Sequence, residues 1–176
     1  MRAPGALVRP SLFQTAGSAV RTGAVAPPFT LPALGTSQAV SLRTADVGHV
    51  TVLNFWATWC HYCTKELPLL NSVATEHQDQ VRVVGVDYTS EESSVAAVAA
   101  FVKKLHVQYP VLLDETGAAF TQYGVHAEPT TFFLNRKGVV TGQVIGQLTP
   151  DLLQFELLAA GAHVPVQGAG GSARSS

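Results

Sequence analysis

The chain has 176 residues, 47% hydrophobic and 13% charged, with a formal net charge of −1. That length and apolar content predict one globular domain with a substantial core and exclude a disordered chain. The near-neutral balance gives no basis for binding nucleic acid or an anionic membrane, and no apolar run is long enough to span a bilayer.

In residues 1–24, Arg2 and Arg9 precede the uncharged run 10–20, and Ala24-Val25-Ala26 has the small-x-small form of a cleavage site. Gln14, Thr15, Gly17 and Ser18 make that run polar for a signal core, and Pro27 follows the site directly. The segment reads as a disordered leader or a degenerate signal. Residues 29–34 and 39–42 predict a short hairpin around Gly35-Thr36-Ser37. Residues 50–57 are rich in β-branched and aromatic side chains and read as a buried strand. Leu67, Leu70, Val73 and Ala74 then recur at helical spacing, with Pro68 expected to kink the helix.

Residues 81–88 form a nearly continuous apolar run, as in a parallel strand covered on both faces. Thr89 and Glu92 have the spacing of a capping box for a following helix. Val95, Val98, Ala99, Val102 and Leu105 would form its inner face, with Lys103 and Lys104 complementing its C-terminal dipole. A short strand at 111–113 and a short helix at 118–123, ended by Gly124, come next. Strands at 130–134 and 139–145 flank Asn135-Arg136-Lys137-Gly138, a hairpin turn. Thr149 caps a last helix with Pro150 in first position and Leu152, Leu153, Phe155 and Leu157 on its apolar side. Residues 167–176, rich in Gly, Ser and Ala, have the composition of a disordered tail. The pattern predicts an α/β domain over 25–163, a mixed central sheet flanked by helices, with residues 164–176 as the tail.

The only cysteines are Cys60 and Cys63, in Trp59-Cys60-His61-Tyr62-Cys63 at the strand-to-helix turn. A dithiol at this spacing can close and reopen, carrying two electrons. Cys60 falls near the helix N-terminus, where unpaired N–H groups and the dipole favour thiolate over thiol. A zinc site would need further ligands, and the six histidines (49, 61, 77, 106, 126 and 163) never take metal-binding spacing. A purely structural disulfide would close too short a loop to stabilise much.

The run Phe55-Trp56-Ala57-Thr58-Trp59-Cys60-His61-Tyr62-Cys63-Thr64-Lys65-Glu66-Leu67-Pro68 resembles the active-site segment of thioredoxin-fold proteins, specifically the TlpA/ResA-like branch. Ala26-Pro27-Pro28-Phe29-Thr30-Leu31-Pro32 resembles that branch's N-terminal hairpin, and Val83-Val84-Gly85-Val86-Asp87 its next parallel strand. Tyr123-Gly124-Val125 with Glu128-Pro129-Thr130-Thr131-Phe132-Phe133-Leu134 resembles its cis-proline segment. The resemblance implies a thioredoxin fold with a central αβ insertion between Thr89 and Leu113.

It also implies roles. Cys60 would be the attacking thiol and Cys63 the resolving one; the position of Cys63 inside the helix, shielded from solvent, agrees with this. Glu66 would match the branch's glutamate near the dithiol, in place of thioredoxin's buried acid, whose position is held here by Asn54. A solvated Glu66 paired with Lys65 is the alternative. Pro129 would follow a cis bond and, with Glu128 and Thr130, meet an extended substrate; Trp59, His61 and Tyr62 would complete that surface, while Trp56 belongs to the core. His61, when cationic, would favour the Cys60 thiolate, or it is simply solvated. Glu128 is unusual beside a thiolate and would disfavour acidic segments.

The activity implied is thiol–disulfide exchange on protein thiols and disulfides, chiefly as a reductant, in cytochrome c maturation or envelope redox homeostasis. The expected partner set is protein substrates and a membrane electron donor, with no nucleic acid. No cofactor and no metal are expected, and the protein is expected to be an extracytoplasmic monomer. Two alternatives belong to other classes. A thiol peroxidase would need Pro and Thr in a PxxxTxxC pattern, yet Leu53 and Ala57 stand there. A non-catalytic binding module would not need an intact dithiol with Glu66 and Pro129.

Overall fold

The computed structural model describes residues 20–42 and 48–168. The expectations for residues 1–19 and for the tail beyond residue 168 lie outside the described residues. The most apolar segment forms the centre: β3 (Val50–Trp56) is buried along its whole length. It pairs in parallel with β4 (Val81–Asp87), from Val50 opposite Val81 to Trp56 opposite Asp87. On its other side it pairs antiparallel with β6 (Thr130–Leu134), Phe55 facing Thr130. Adding β5 (Val111–Leu113) and β7 (Val140–Ile145) gives a five-stranded mixed sheet in the order β5-β4-β3-β6-β7. A separate hairpin, β1 (Phe29–Pro32) with β2 (Ala39–Leu42), docks at the β5 edge, where Leu34 N–H donates to Val111 O at 2.8 Å.

Strand alternation sends side chains to two cores. One face of β3 sends Val50, Val52 and Trp56 against helix α1 (His61–Glu76), helix α2 (Val95–Lys104) and helix α4 (Pro150–Ala160). The other sends Leu53 and Phe55 against helix α3 (Ala118–Tyr123), with Phe55, Phe120, Tyr123 and Phe132 forming an aromatic cluster. The β6–β7 turn forms as expected. Gly138 takes φ 73°, open to glycine, and Asn135 Oδ1 accepts from Lys137 N and Val139 N.

Helix α1 runs through Pro68 as one 16-residue element. Three local expectations change. The capping-box pair does not start α2: Thr89–Glu91 is a short 3-10 turn, and Ser94 caps the helix by accepting from Ala97 N. Its inner face is also rotated. Val98 is buried and Phe101 stacks on Trp56 at 5.4 Å between centroids, whereas Val95 and Ala99 are exposed. In α4, Leu153, Leu157 and Ala160 are buried and Phe155 points outward, 66% exposed.

Packing continues past α4. Gln154 Nε2 donates to Val164 O and its Oε1 accepts from Val166 N, both at 2.8 Å, seating Val164 and Val166 in the core. At the other end, Gly23 N–H and Ala26 N–H donate to Val140 O and Gly138 O, fixing the first described residues along β7.

Candidate active site

The C-terminal end of β3 delivers the chain into a tight turn. Cys60 N–H donates to Ala57 O, and Cys60 becomes the N-cap of α1 with extended backbone. Its Sγ accepts from Cys63 N–H at 3.2 Å, one of the amides that a helix start leaves unpaired. The two sulfurs are joined, with their Cα atoms 5.3 Å apart. Cys60 keeps 6% of its surface open and Cys63 none. Cys60 is thus the more accessible of the two.

Around that opening, Trp59 is 56% exposed and Tyr62 57% exposed. His61 and Tyr62 pack edge to face, and Lys65 lies over the Tyr62 ring at 5.7 Å. Trp56, by contrast, is wholly buried. The register of Phe55 with Thr130 places the Glu128–Pro129 bond at the same end of the sheet as the dithiol. That bond is cis. Thr130 Oγ1 donates to Ala127 O, and Gly146 N–H donates to Pro129 O, pinning the loop on both sides. Glu128 is half-buried, and partial burial raises its carboxyl above the usual range.

Glu66 is fully buried, one helical turn beyond Cys63, which removes the solvated alternative. Its Oε1 accepts from Asn54 Nδ2 at 2.7 Å and its Oε2 from Leu148 N–H at 2.7 Å. Asn54 Nδ2 also donates to Thr131 Oγ1 at 2.9 Å, tying β3, α1 and β6 together. Burial pushes the Glu66 carboxyl up to about 7, against the opposing pull of the Leu148 amide and Asn54. A carboxyl poised there can hold or release a proton at neutral pH.

A second acidic group lies on the other flank and was not foreseen. Glu92 accepts from Thr58 N–H at 2.6 Å through Oε1, and Thr58 Oγ1 donates to its other oxygen. Asp87, the last residue of β4, is buried beside it, its Oδ1 accepting from Thr89 Oγ1 at 2.7 Å. Burial first, then the nearby Glu92 and Asp114 carboxylates, pushes Asp87 up to about 7 despite the Thr89 hydroxyl. The local pattern around Glu92 signalled a cap and gave no sign of Thr58. Among the described residues no group of His, Cys, Asp and Glu is arranged to hold a metal ion.

A CxxC pair at a helix N-cap, a cis-proline loop at the same sheet end and a buried acid behind the helix define a thioredoxin-fold thiol–disulfide oxidoreductase. Residues 22–143 match the model of the AhpC/TSA family, and the chain belongs to that family. It is similar to thioredoxin-like protein YneN of Bacillus subtilis, 35% identical over 84% of this chain and 86% of that one. Sporulation thiol-disulfide oxidoreductase A of the same organism is 32% identical over 68% of this chain and 73% of that one. A crystal structure from Chlorobium tepidum, assigned as thiol:disulfide interchange protein DsbE, superposes with a TM-score of 0.72. It is 29% identical, over 81% of this chain and 99% of that one.

Proposed function

We propose that this oxidoreductase works as a reductant of protein disulfides, with Cys60 attacking and Cys63 resolving. The observation that carries the assignment is the unequal exposure of the pair, Cys60 at the N-cap keeping 6% of its surface exposed and Cys63 beneath it none. In the reduced protein, the Cys60 thiolate attacks one sulfur of a substrate disulfide. A bond forms between Cys60 Sγ and that sulfur, and the other substrate sulfur leaves as thiolate. Cys63, as thiolate, then attacks Cys60 Sγ and releases the second substrate sulfur. The substrate gains two electrons and the protein is left with the Cys60–Cys63 disulfide.

Glu66 supports the second step by taking the proton that Cys63 must lose. Trp59 and Tyr62 offer an apolar landing surface, and the Glu128–Pro129–Thr130 loop receives an extended segment beside the sulfur. His61 adds charge near Cys60 when protonated. The negative Glu128 favours neutral or basic flanking residues over acidic ones. The likeness to the TlpA/ResA-like branch supports work outside the cytoplasmic membrane, as a monomer recharged by a membrane electron donor, with apocytochrome c cysteines among the substrates. The thioredoxin-like unit runs past residue 163 to Val166, since Val164 and Val166 pack in its core. Against peroxidase chemistry, Leu53 is a buried strand residue and Ala57 offers no hydroxyl to a peroxide at Cys60.

The test is insulin reduction by the reduced protein, with trapping of intermediates. Wild type should reduce insulin. Cys63→Ser should accumulate mixed disulfides detectable by mass spectrometry, and Cys60→Ser should form few. The reverse trapping pattern would overturn the assignment of the two thiols.

A further inference from the structure

Three acids meet near the C-terminal ends of β4 and β5, and their bonds separate their duties. Asp114 is spent on α3, its oxygens accepting from Ala118 N at 3.0 Å and Phe120 N at 3.0 Å. Asp87 holds Thr89 at the start of the insertion. Glu92 faces the Asp87 carboxyl and, of the three, reaches the dithiol turn: one carboxylate takes both hydrogens that Thr58 offers. Thr58 is the middle of the turn that Cys60 N–H closes onto Ala57 O. Thr58 and Glu92 are 34 residues apart in sequence, so the contact ties the αβ insertion to the active-site turn.

We propose that Glu92 is a positioning residue for Cys60, its carboxylate clasping Thr58 so that the Thr58-Trp59-Cys60 turn holds the sulfur at the helix N-cap. The inference rests on the reading of Cys60 as the attacking thiol. The physical case is that a thiolate gains from the N-cap only while its sulfur stays within reach of the Cys63 amide. A charged acceptor holding two donors is the stronger kind of hydrogen bond, suited to fixing a short turn. A rival reading treats Glu92 only as a nearby negative charge, and the two differ in sign. Removing a negative charge lowers the pKa of a neighbouring thiol, and here only in part, because Asp87 ionises more readily once Glu92 is gone. Releasing the turn takes the sulfur out of its stabilising seat and raises it.

The experiment is the pH dependence of Cys60 alkylation by iodoacetamide in the fully reduced chain, with thermal unfolding recorded alongside. Because the probe is a small molecule, the result does not depend on whether insulin is a substrate, so failure of the positioning claim is distinct from failure of the reductase reading. Glu92→Ala should slow alkylation at pH 7 by about five- to tenfold, the scale of a lost cap, and move the curve to higher pH. Glu92→Gln, which retains one acceptor for Thr58 N–H, should restore part of the rate. Thr58→Val, which deletes only the hydroxyl, should shift the curve the same way and combine less than additively with Glu92→Gln. If Glu92→Ala does not fold, the two isosteric variants carry the test. Curves that coincide with wild type, or that move to lower pH, would overturn the proposal.

Discussion

Glu66 shows how burial and two hydrogen bonds together set one side chain. Both oxygens accept a hydrogen, from Asn54 and from the Leu148 amide, yet burial wins and the carboxyl rises to about 7. Below that pH it is neutral and leaves a thiolate one turn away undisturbed. As pH rises through 7 its ionisation opposes the second negative charge, so thiol titration is spread over a wide range. Glu66→Gln should therefore give a steeper alkylation curve with its midpoint at lower pH than wild type; superimposable curves would leave Glu66 outside the thiol chemistry. The amide nitrogen of Gln must face one of the two donors, so the variant should also unfold at a lower temperature.

At the scale of elements, close approach decides which changes the fold tolerates. A Cβ on Gly85 in β4 would come within 2.8 Å of Trp56 Nε1 and 3.2 Å of Tyr109 Cε2. Trp56 is held by its stack with Phe101, and neither ring has room to move. Gly85→Ala should cost roughly 1–3 kcal/mol in urea unfolding. A Cβ on Gly142 in β7 would meet only the tip of Glu156, which can swing to solvent. Gly142→Ala should stay within about 0.5 kcal/mol of wild type. A large loss at Gly142 and none at Gly85 would contradict this account of the sheet faces. The same elements show what could be read in advance. β3 and β4 were legible because burial on both faces leaves a nearly continuous apolar run, and α1 because Leu67, Leu70 and Val73 repeat along one stripe. The inner face of α2 was not, because Phe101 is chosen over Ala99 by its ring contact with Trp56, far away in sequence. Thr89 and Glu92 carried a true local cap signal that lost to Thr58 and Ser94. In the site, the dithiol and Glu66 were visible as spacing. The Leu148 amide that meets Glu66 is backbone, and no side-chain pattern marks it.

Over the whole molecule, two buried carboxyls bind protons more tightly in the folded chain than in the unfolded one. Glu66 rises from 4.5 and Asp87 from 3.8, each to about 7. Between about pH 4 and 7 the folded state therefore holds the extra protons, and their contribution to stability falls as pH rises, reaching its full penalty above 7. In the oxidised protein, where the thiols do not titrate, Asp87→Asn should flatten the fall in urea midpoint between pH 5 and 8. An unchanged slope would remove Asp87 from this linkage. The distances in sequence that the site spans also order events in time. Cys60 and Cys63 are 3 residues apart and can meet as soon as the first turn of α1 exists. Asn54 reaches Thr131 across 77 residues and Glu66 reaches Leu148 across 82, contacts that bear the slow loop closures of folding. A chain still being made thus owns a dithiol before it owns the surroundings that tune it. Until β6 and the loop after β7 arrive, that dithiol lacks Thr131 and the Leu148 amide, the distant partners that hold Asn54 and Glu66 behind it.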